Sequence, residues 1–178
     1  QGPPPAVKVL YLTHRVPYAP NRGDRIRAFH TLRVLARAGA EVYVLALAHD
    51  AREERSAAAL HDLSSVWEVV RVPLWRNRLR GAAALAGSTP LTHLLLDSPA
   101  LPGAIVRAAA WRPDVVLAFC TGVAPHALES PLRSLPLVLD MVDVDSAKWR
   151  DLAAIAHAPV RWVYQRESRR LAAFEARA

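Results

Sequence analysis

The chain has a single cysteine, Cys120, and only two lysines, Lys8 and Lys148. One thiol can form no internal disulfide and, without Cys partners, no thiolate-rich zinc site. No apolar run approaches the roughly 20 residues of a membrane-spanning helix, although 52% of the chain is hydrophobic. The opening Gln1-Gly2-Pro3-Pro4-Pro5 leads straight into a first strand and carries no secretory signal. Internal repeats and low-complexity tracts are absent. So are a recognition-helix pattern, an aromatic platform within a strand and a basic tail, which makes nucleic acid an unexpected partner. A G-x-G-x-x-G fingerprint is missing too, and with it the usual signal for a dinucleotide. These exclusions leave a cytoplasmic protein as the expectation, with peripheral contact at the inner face of a membrane left open.

At 178 residues the chain fits one domain with a real core. Its net charge of +7 comes from 23 basic and 16 acidic residues, nearly all the basic ones being Arg. Arg, Ala and Pro together fit a GC-rich genome; the other reading is a face for a membrane surface or another polyanion.

The stretch 7–30, VKVLYLTHRVPYAPNRGDRIRAFH, organises the rest. An apolar run stops at Thr13-His14, a polar loop broken by Pro follows, and a periodic segment opens at Gly23-Asp24. This predicts a strand, a long loop and a helix N-terminus. In a parallel α/β sheet that arrangement builds one wall of a ligand crevice, with free helix N–H groups facing an anion. The helix is expected over 24–38, with Asp24 as N-cap, Gly39 past its end, and Ile26, Phe29, Leu32 and Leu35 recurring every three residues along the buried face.

Strands are expected at 41–47 (EVYVLAL), 66–72 (VWEVVRV), 115–119 (VVLAF) and 136–141 (PLVLDM). Helices are expected at 51–63, 75–86, 102–111, 123–128, from Asp145 or Ser146 to 157, and from 160 onward, with a turn-rich passage at 90–102. The β-α-β-α-β opening requires right-handed parallel crossovers. The predicted fold class is α/β: a doubly wound, Rossmann-like, mainly parallel sheet flanked by helices. Arg76, Arg78 and Arg80 stand in the first half of their helix, where they oppose its dipole, so a surface role is open. The Trp residues read mostly as packing.

Polar groups gather where the strands are expected to end: His14 and Arg15 after the first, Thr121, Gly122 and His126 after the fourth, Asp143, Asp145 and Ser146 after the fifth. The first and fourth strands of such a sheet are neighbours across the switch point, so these groups are expected to converge. Each has an ordinary alternative. Asp145 can be a helix cap; His126 a general base or a helix-face histidine; His14 a loop hydrogen-bonder. Asp143 and Asp145 could ligate a divalent cation, but no third ligand accompanies them. Asp140, inside a strand, needs a partner, which Lys148 or Arg150 could supply by folding back. Cys120 reads as a small buried residue. Trp149 is expected beside the cleft, where an aromatic ring can stack on a sugar.

Three segments, LTHRVPYAPNRGDRIRAFHTLRVLA (12–36), DMVDVDSAKW (140–149) and YQRESRRLAAFE (164–175), carry a resemblance. The chain resembles the N-terminal domain of a GT-B glycosyltransferase of retaining family 4, in the subgroup associated with exopolysaccharide and PEP-CTERM loci. The resemblance implies a two-domain enzyme whose N-terminal half holds a polysaccharide or lipid-linked acceptor and whose C-terminal half holds the nucleotide-sugar donor. The loop Asn21, Arg22, Gly23 and Asp24 would approach the donor diphosphate and sugar. Many relatives have two adjacent glycines there, and this chain has one. His126, Asp143 and Asp145 are the candidates for the reaction centre; His14, Arg15 and Trp149 join the loop as binding candidates. The same resemblance implies no metal and no cofactor, and a same-face route of transfer. It also implies an acceptor-side domain over 1–158 and, over 159–178, the start of a connecting helix toward a second domain, with the isolated fragment inactive. The alternative function is a non-enzymatic Rossmann-like module docking to a membrane assembly through its Arg face.

Overall fold

A computed structural model describes residues 5–129 and 131–178; what was read from Gln1 to Pro4 lies outside them. Five parallel strands, β1 (Lys8–Thr13), β2 (Glu41–Ala48), β3 (Val66–Arg71), β4 (Val115–Phe119) and β5 (Leu137–Asp140), form one sheet in the order β3-β2-β1-β4-β5. The chain winds outward from β1 to β3, then crosses to β4 on the other side of β1. The switch point therefore falls between β1 and β4, as the Rossmann-like reading requires. Helices α1 (Gly23–Arg37), α2 (Ala51–Ser56), α3 (Leu74–Ala83), α4 (Leu91–Leu95), α5 (Leu101–Ala110), α6 (Ala124–Leu128), α7 (Asp145–Ile155) and α8 (Val160–Glu175) complete the architecture.

β1 is buried on both faces, which is why it reads as a continuous apolar run. Leu10 and Leu12 join the cluster built with Leu101, Ala104, Ile105 and Ala108 of α5. Tyr11 joins the opposite cluster, with Ala28 and Leu32 of α1. Side chains alternate along a strand, so one run feeds two cores.

Helix α1 differs in detail from expectation. Its buried residues are Ala28 and Leu32, and Ile26 is 42% exposed. A three-residue recurrence falls about 60° short of a full turn at each step, so Ile26 and Leu35 end on opposite sides. The N-cap position is Arg22, with no side-chain cap bond; Asp24 sits inside the first turn. Gly39 does stand past the helix end, with φ +79. The passage expected to be turns contains α4, and α2 gives way to a short 3₁₀ segment, Ala57–Leu60. At α7 the N-cap position is Val144, so neither Asp145 nor Ser146 caps it.

α8 lies against α7 and turns two of its charged residues inward, while Arg161, Arg169 and Arg170 face solvent. Leu171 is fully buried, and Arg166 and Glu167 are buried with it. Glu167 accepts hydrogen bonds from the amides of Leu91 (2.7 Å) and Thr92 (2.8 Å) and from the Thr92 hydroxyl (2.7 Å). Arg166 donates to the carbonyls of Ala84, Leu85, Gly87 and Thr89. Two turns further on, Glu175 accepts from the amide (3.0 Å) and hydroxyl of Ser146. One helix thus satisfies the free N–H groups at the starts of two others.

Candidate functional site

The C-terminal ends of β1, β4 and β5 border a cleft of about 270 Å³. Its lining includes His14 and Arg22 from the β1–α1 connection, Asp24 from the first turn of α1, Phe119 from β4 and Cys120 just after it, and Asp143, Asp145 and Lys148 from the β5–α7 region. Thr92 and Leu96 close the side held by α8. Gly23 lies between two of these residues and opens α1.

His14 stacks on Phe119, with ring centroids 6.0 Å apart and planes 6° from parallel. Its Nε2 is 3.5 Å from Asp24 Oδ2. Burial pushes the imidazole down to about 4 against the opposing pull of Asp24, so it is neutral at physiological pH. Burial acts to raise the Asp24 carboxyl, but the Arg25 amide and the facing His14, Arg22 and Arg15 outweigh it and hold Asp24 below its usual value. Asp24 is therefore the anion of the pair.

A second carboxylate, Glu53, fixes the loop from beneath. Its side chain is 1% exposed and receives Arg15 Nη1 at 3.3 Å and Arg25 Nη2 at 3.1 Å, plus the His49 amide at 3.0 Å. Asp50 accepts from the Glu53 amide at 2.7 Å and caps α2. Arg15 thus spans Glu53 and Asp24 (3.9 Å), so ion pairs brace the loop alongside Val16, which is buried in the core. Sequence reasoning missed Glu53, which looked like one acid among several on a polar helix. Its spacing of four from His49 and three from Asp50 was the available signal.

Across the cleft, Thr121 donates to Asp145 Oδ2 at 2.7 Å. Burial raises the Asp145 carboxyl; Thr121 and Lys148 oppose the shift, and Glu175 and Asp143 add to it. Asp143 is exposed. Asp140 finds its partner in Arg27, which donates from Nε (3.0 Å) and Nη2 (2.8 Å), and neither Lys148 nor Arg150 folds back to it. Asp140 Oδ1 also receives the Val142 amide at 3.1 Å. That bond helps hold Val142 at φ 62, a left-handed conformation costly for a β-branched residue. Cys120, at the end of β4, has φ 77, and burial pushes its thiol up to about 12, so it is no nucleophile.

No family model, no curated protein and no solved structure matches this chain.

The cleft brings together His14, Arg22, Asp24, Asp143 and Asp145, with Gly23 between two of them. Other candidates lie elsewhere. Asn21 opens on a separate depression of about 360 Å³, with Tyr18, Arg25, Asp50 and Glu53. Trp149 packs on Tyr164 of α8, ring centroids 5.1 Å apart, and does not line the cleft. His126 is on α6, outside the cleft lining, where burial lowers its pKa and Asp97 and Glu129 act against that. Lys148 was overlooked as a cleft residue, although three residues after Asp145 on a helix it shares that face.

Chemically, the site offers a neutral imidazole, a carboxyl raised by burial, two cations at the rim and the first-turn N–H groups of α1. Asp24, Asp143 and Asp145 all border it, yet among the described residues no group of three or more His, Cys, Asp or Glu side chains is placed to hold a metal ion.

Proposed function

We propose that the chain is the acceptor-side domain of a retaining glycosyltransferase that moves a sugar from a nucleotide-sugar donor to a polysaccharide or lipid-linked acceptor. The observation that carries the reading is the convergence of His14, Arg22, Asp24, Asp143, Asp145 and Lys148 on one cleft at the β1–β4 switch point. The segments 12–36 and 140–149, which carry the resemblance, contribute His14, Arg22, Asp24, Asp143, Asp145 and Lys148 to its lining.

In this reading Arg22 and the α1 N-terminus face the departing diphosphate, where developing negative charge needs fixed donors. The acceptor hydroxyl forms its bond to the anomeric carbon as the bond to the diphosphate breaks, and its proton leaves with the diphosphate oxygen. His14, neutral and held against Phe119, hydrogen-bonds a sugar hydroxyl. Asp143 and Asp145 orient the acceptor and offset positive charge on the sugar ring. Residues of a second, donor-side domain complete the site, so the isolated chain turns nothing over.

Gly23 gives the sharpest test. Its φ is not in the left-handed region, and a Cβ built there meets nothing within 4 Å, so the fold itself does not demand glycine. Gly23→Ala should leave the melting temperature equal or slightly higher, since it restricts the unfolded chain. In the chain carried with its donor-side domain, the same change should weaken nucleotide-sugar binding about tenfold or more by crowding the diphosphate approach. Calorimetry reads this directly. If the two-domain protein binds none of the common nucleotide sugars, the transferase reading is wrong.

A further inference from the structure

α3 turns Leu74, Asn77 and Gly81 inward and a second, apolar face outward. Asn77 is fully buried and donates to the carbonyls of Leu95 (3.2 Å) and Asp97 (2.7 Å), and Gly81 is buried near Leu91. On the other side Trp75 is 72% and Leu79 65% exposed, followed by exposed Ala82 and Ala83. At about 100° per residue these four fall within an arc of roughly 100°. Arg78 borders the arc on one flank and Arg76 on the other. Among the described residues neither forms an ion pair, whereas Arg80 is tied to Asp97 at 2.7 Å. The helix has no acidic residue in its first turn to balance them.

Folding accounts for neither half of this pattern. An exposed Trp and Leu forgo burial, and cations near a helix start oppose its dipole. We propose that this face of α3 rests on an anionic lipid surface, with Trp75 and Leu79 in the boundary between headgroups and acyl chains and Arg76 and Arg78 reaching lipid phosphates. The choice of lipid over a protein partner follows from the arc itself. It holds no hydrogen-bonding group except the Trp75 ring N–H, so nothing fixes register, while the unpaired cations flank it on both sides. A laterally fluid, negatively charged surface suits that composition. No helix among the described residues is long and apolar enough to cross a membrane, so the contact is with the surface.

The placement matters for the cleft. α3 begins just after β3, at the same C-terminal end of the sheet as the cleft, and Asn77 ties it to the α4 segment, whose Thr92 and Leu96 form part of the cleft wall. Docking through α3 would set that wall beside the lipid. The inference does not depend on the transferase reading, and its test uses no sugar.

The test is co-sedimentation of the 178-residue chain with phosphatidylcholine vesicles, with and without phosphatidylglycerol, followed by tryptophan emission. Binding is expected only to the anionic vesicles, with a blue shift that Trp75→Ser/Leu79→Ser removes together with most of the binding. Arg76→Gln/Arg78→Gln should weaken binding about thirtyfold, at one screened charge each. All four side chains are exposed, so unchanged thermal melts will show that the variants fold. Equal binding to neutral vesicles, no binding at all, or binding untouched by the Trp75/Leu79 pair overturns the proposal. Concentration-dependent dimerisation that this pair abolishes, without lipid binding, assigns the face to a second copy instead and also overturns it.

Discussion

At the scale of single residues, His14 is the group whose setting most constrains chemistry. Its imidazole is lowered from the ordinary 6.5 to about 4 by burial against Phe119, so the folded state resists a proton that the unfolded chain accepts. The sign follows from linkage. Above about pH 6.5 both states are neutral and the contribution is complete; as pH falls from 6.5 toward 4 the unfolded state takes up a proton first and stability is lost. Burial lowers His49, His93 and His126 in the same direction, so they share this acid limb. His14→Asn should flatten the slope of unfolding free energy against pH by up to about 1.4 kcal/mol per pH unit in that window. In the wild type the His14 ring protons, followed by NMR, should not titrate above about pH 5. A midpoint near 6.5 for His14 would remove the neutral imidazole from the proposed mechanism. Part of this was legible: a histidine directly after a buried strand must lie at the sheet edge. Its neutral state was not, because Phe119, against which the ring is buried, becomes its neighbour only when β4 pairs with β1.

Among the elements, α8 is the one whose role the sequence disguised. In the sequence Tyr164, Glu167, Leu171, Phe174 and Glu175 form a pattern too long and too charged for a simple cap on a small domain, and it reads as a connector. The structure gives the charges local work as well. Glu167 reaches amides 75 and 76 residues away in sequence, at the start of a five-residue helix that has no cap of its own. A helix that short is not stable alone, and without knowledge of Glu167 the passage could only read as turns. The strands were easier. Each is a short run dominated by strand-forming residues, even β3 with Glu68 and Arg71, and each is followed within four residues by Pro, Asp or Gly, so their places along the chain needed no remote partner. Glu167→Gln keeps the volume and one acceptor but places an NH₂ group against an amide or hydroxyl donor. It should destabilise the chain by roughly 1–3 kcal/mol, while Glu175→Gln, at the more exposed end, should cost less. Chemical denaturation of both variants checks the order; equal midpoints for Glu167→Gln and wild type would mean the capping bonds contribute nothing net.

On the scale of the whole molecule, α8 joins the two walls of the cleft. Glu167 holds α4, whose Thr92 borders one side, and Glu175 holds the start of α7, which presents Asp145 and Lys148 on another. Arg166 adds the carbonyls of the segment that leads from α3 into α4. A helix read from sequence as the beginning of a connection is therefore also an integral wall support, and any movement of α8 is transmitted to both sides of the site. Deleting residues 160–178 exposes Leu171's pocket, frees the amides of Leu91, Thr92 and Ser146, and strips four carbonyls of their guanidinium. Loss of the Leu171 side chain alone is worth about 2–5 kcal/mol, and each lost hydrogen bond to a charged group about 1.5–3 kcal/mol more. Those figures approach the whole stability of an ordinary domain. The truncated chain is accordingly expected to lose cooperative unfolding or to melt far below the full chain. In hydrogen exchange, residues 84–96 and the first turn of α7 should lose protection before the strands do. If the shortened chain unfolded at the same denaturant concentration with 84–96 still protected, α8 would be an appendage to the domain, and the cleft would owe its shape to the sheet alone.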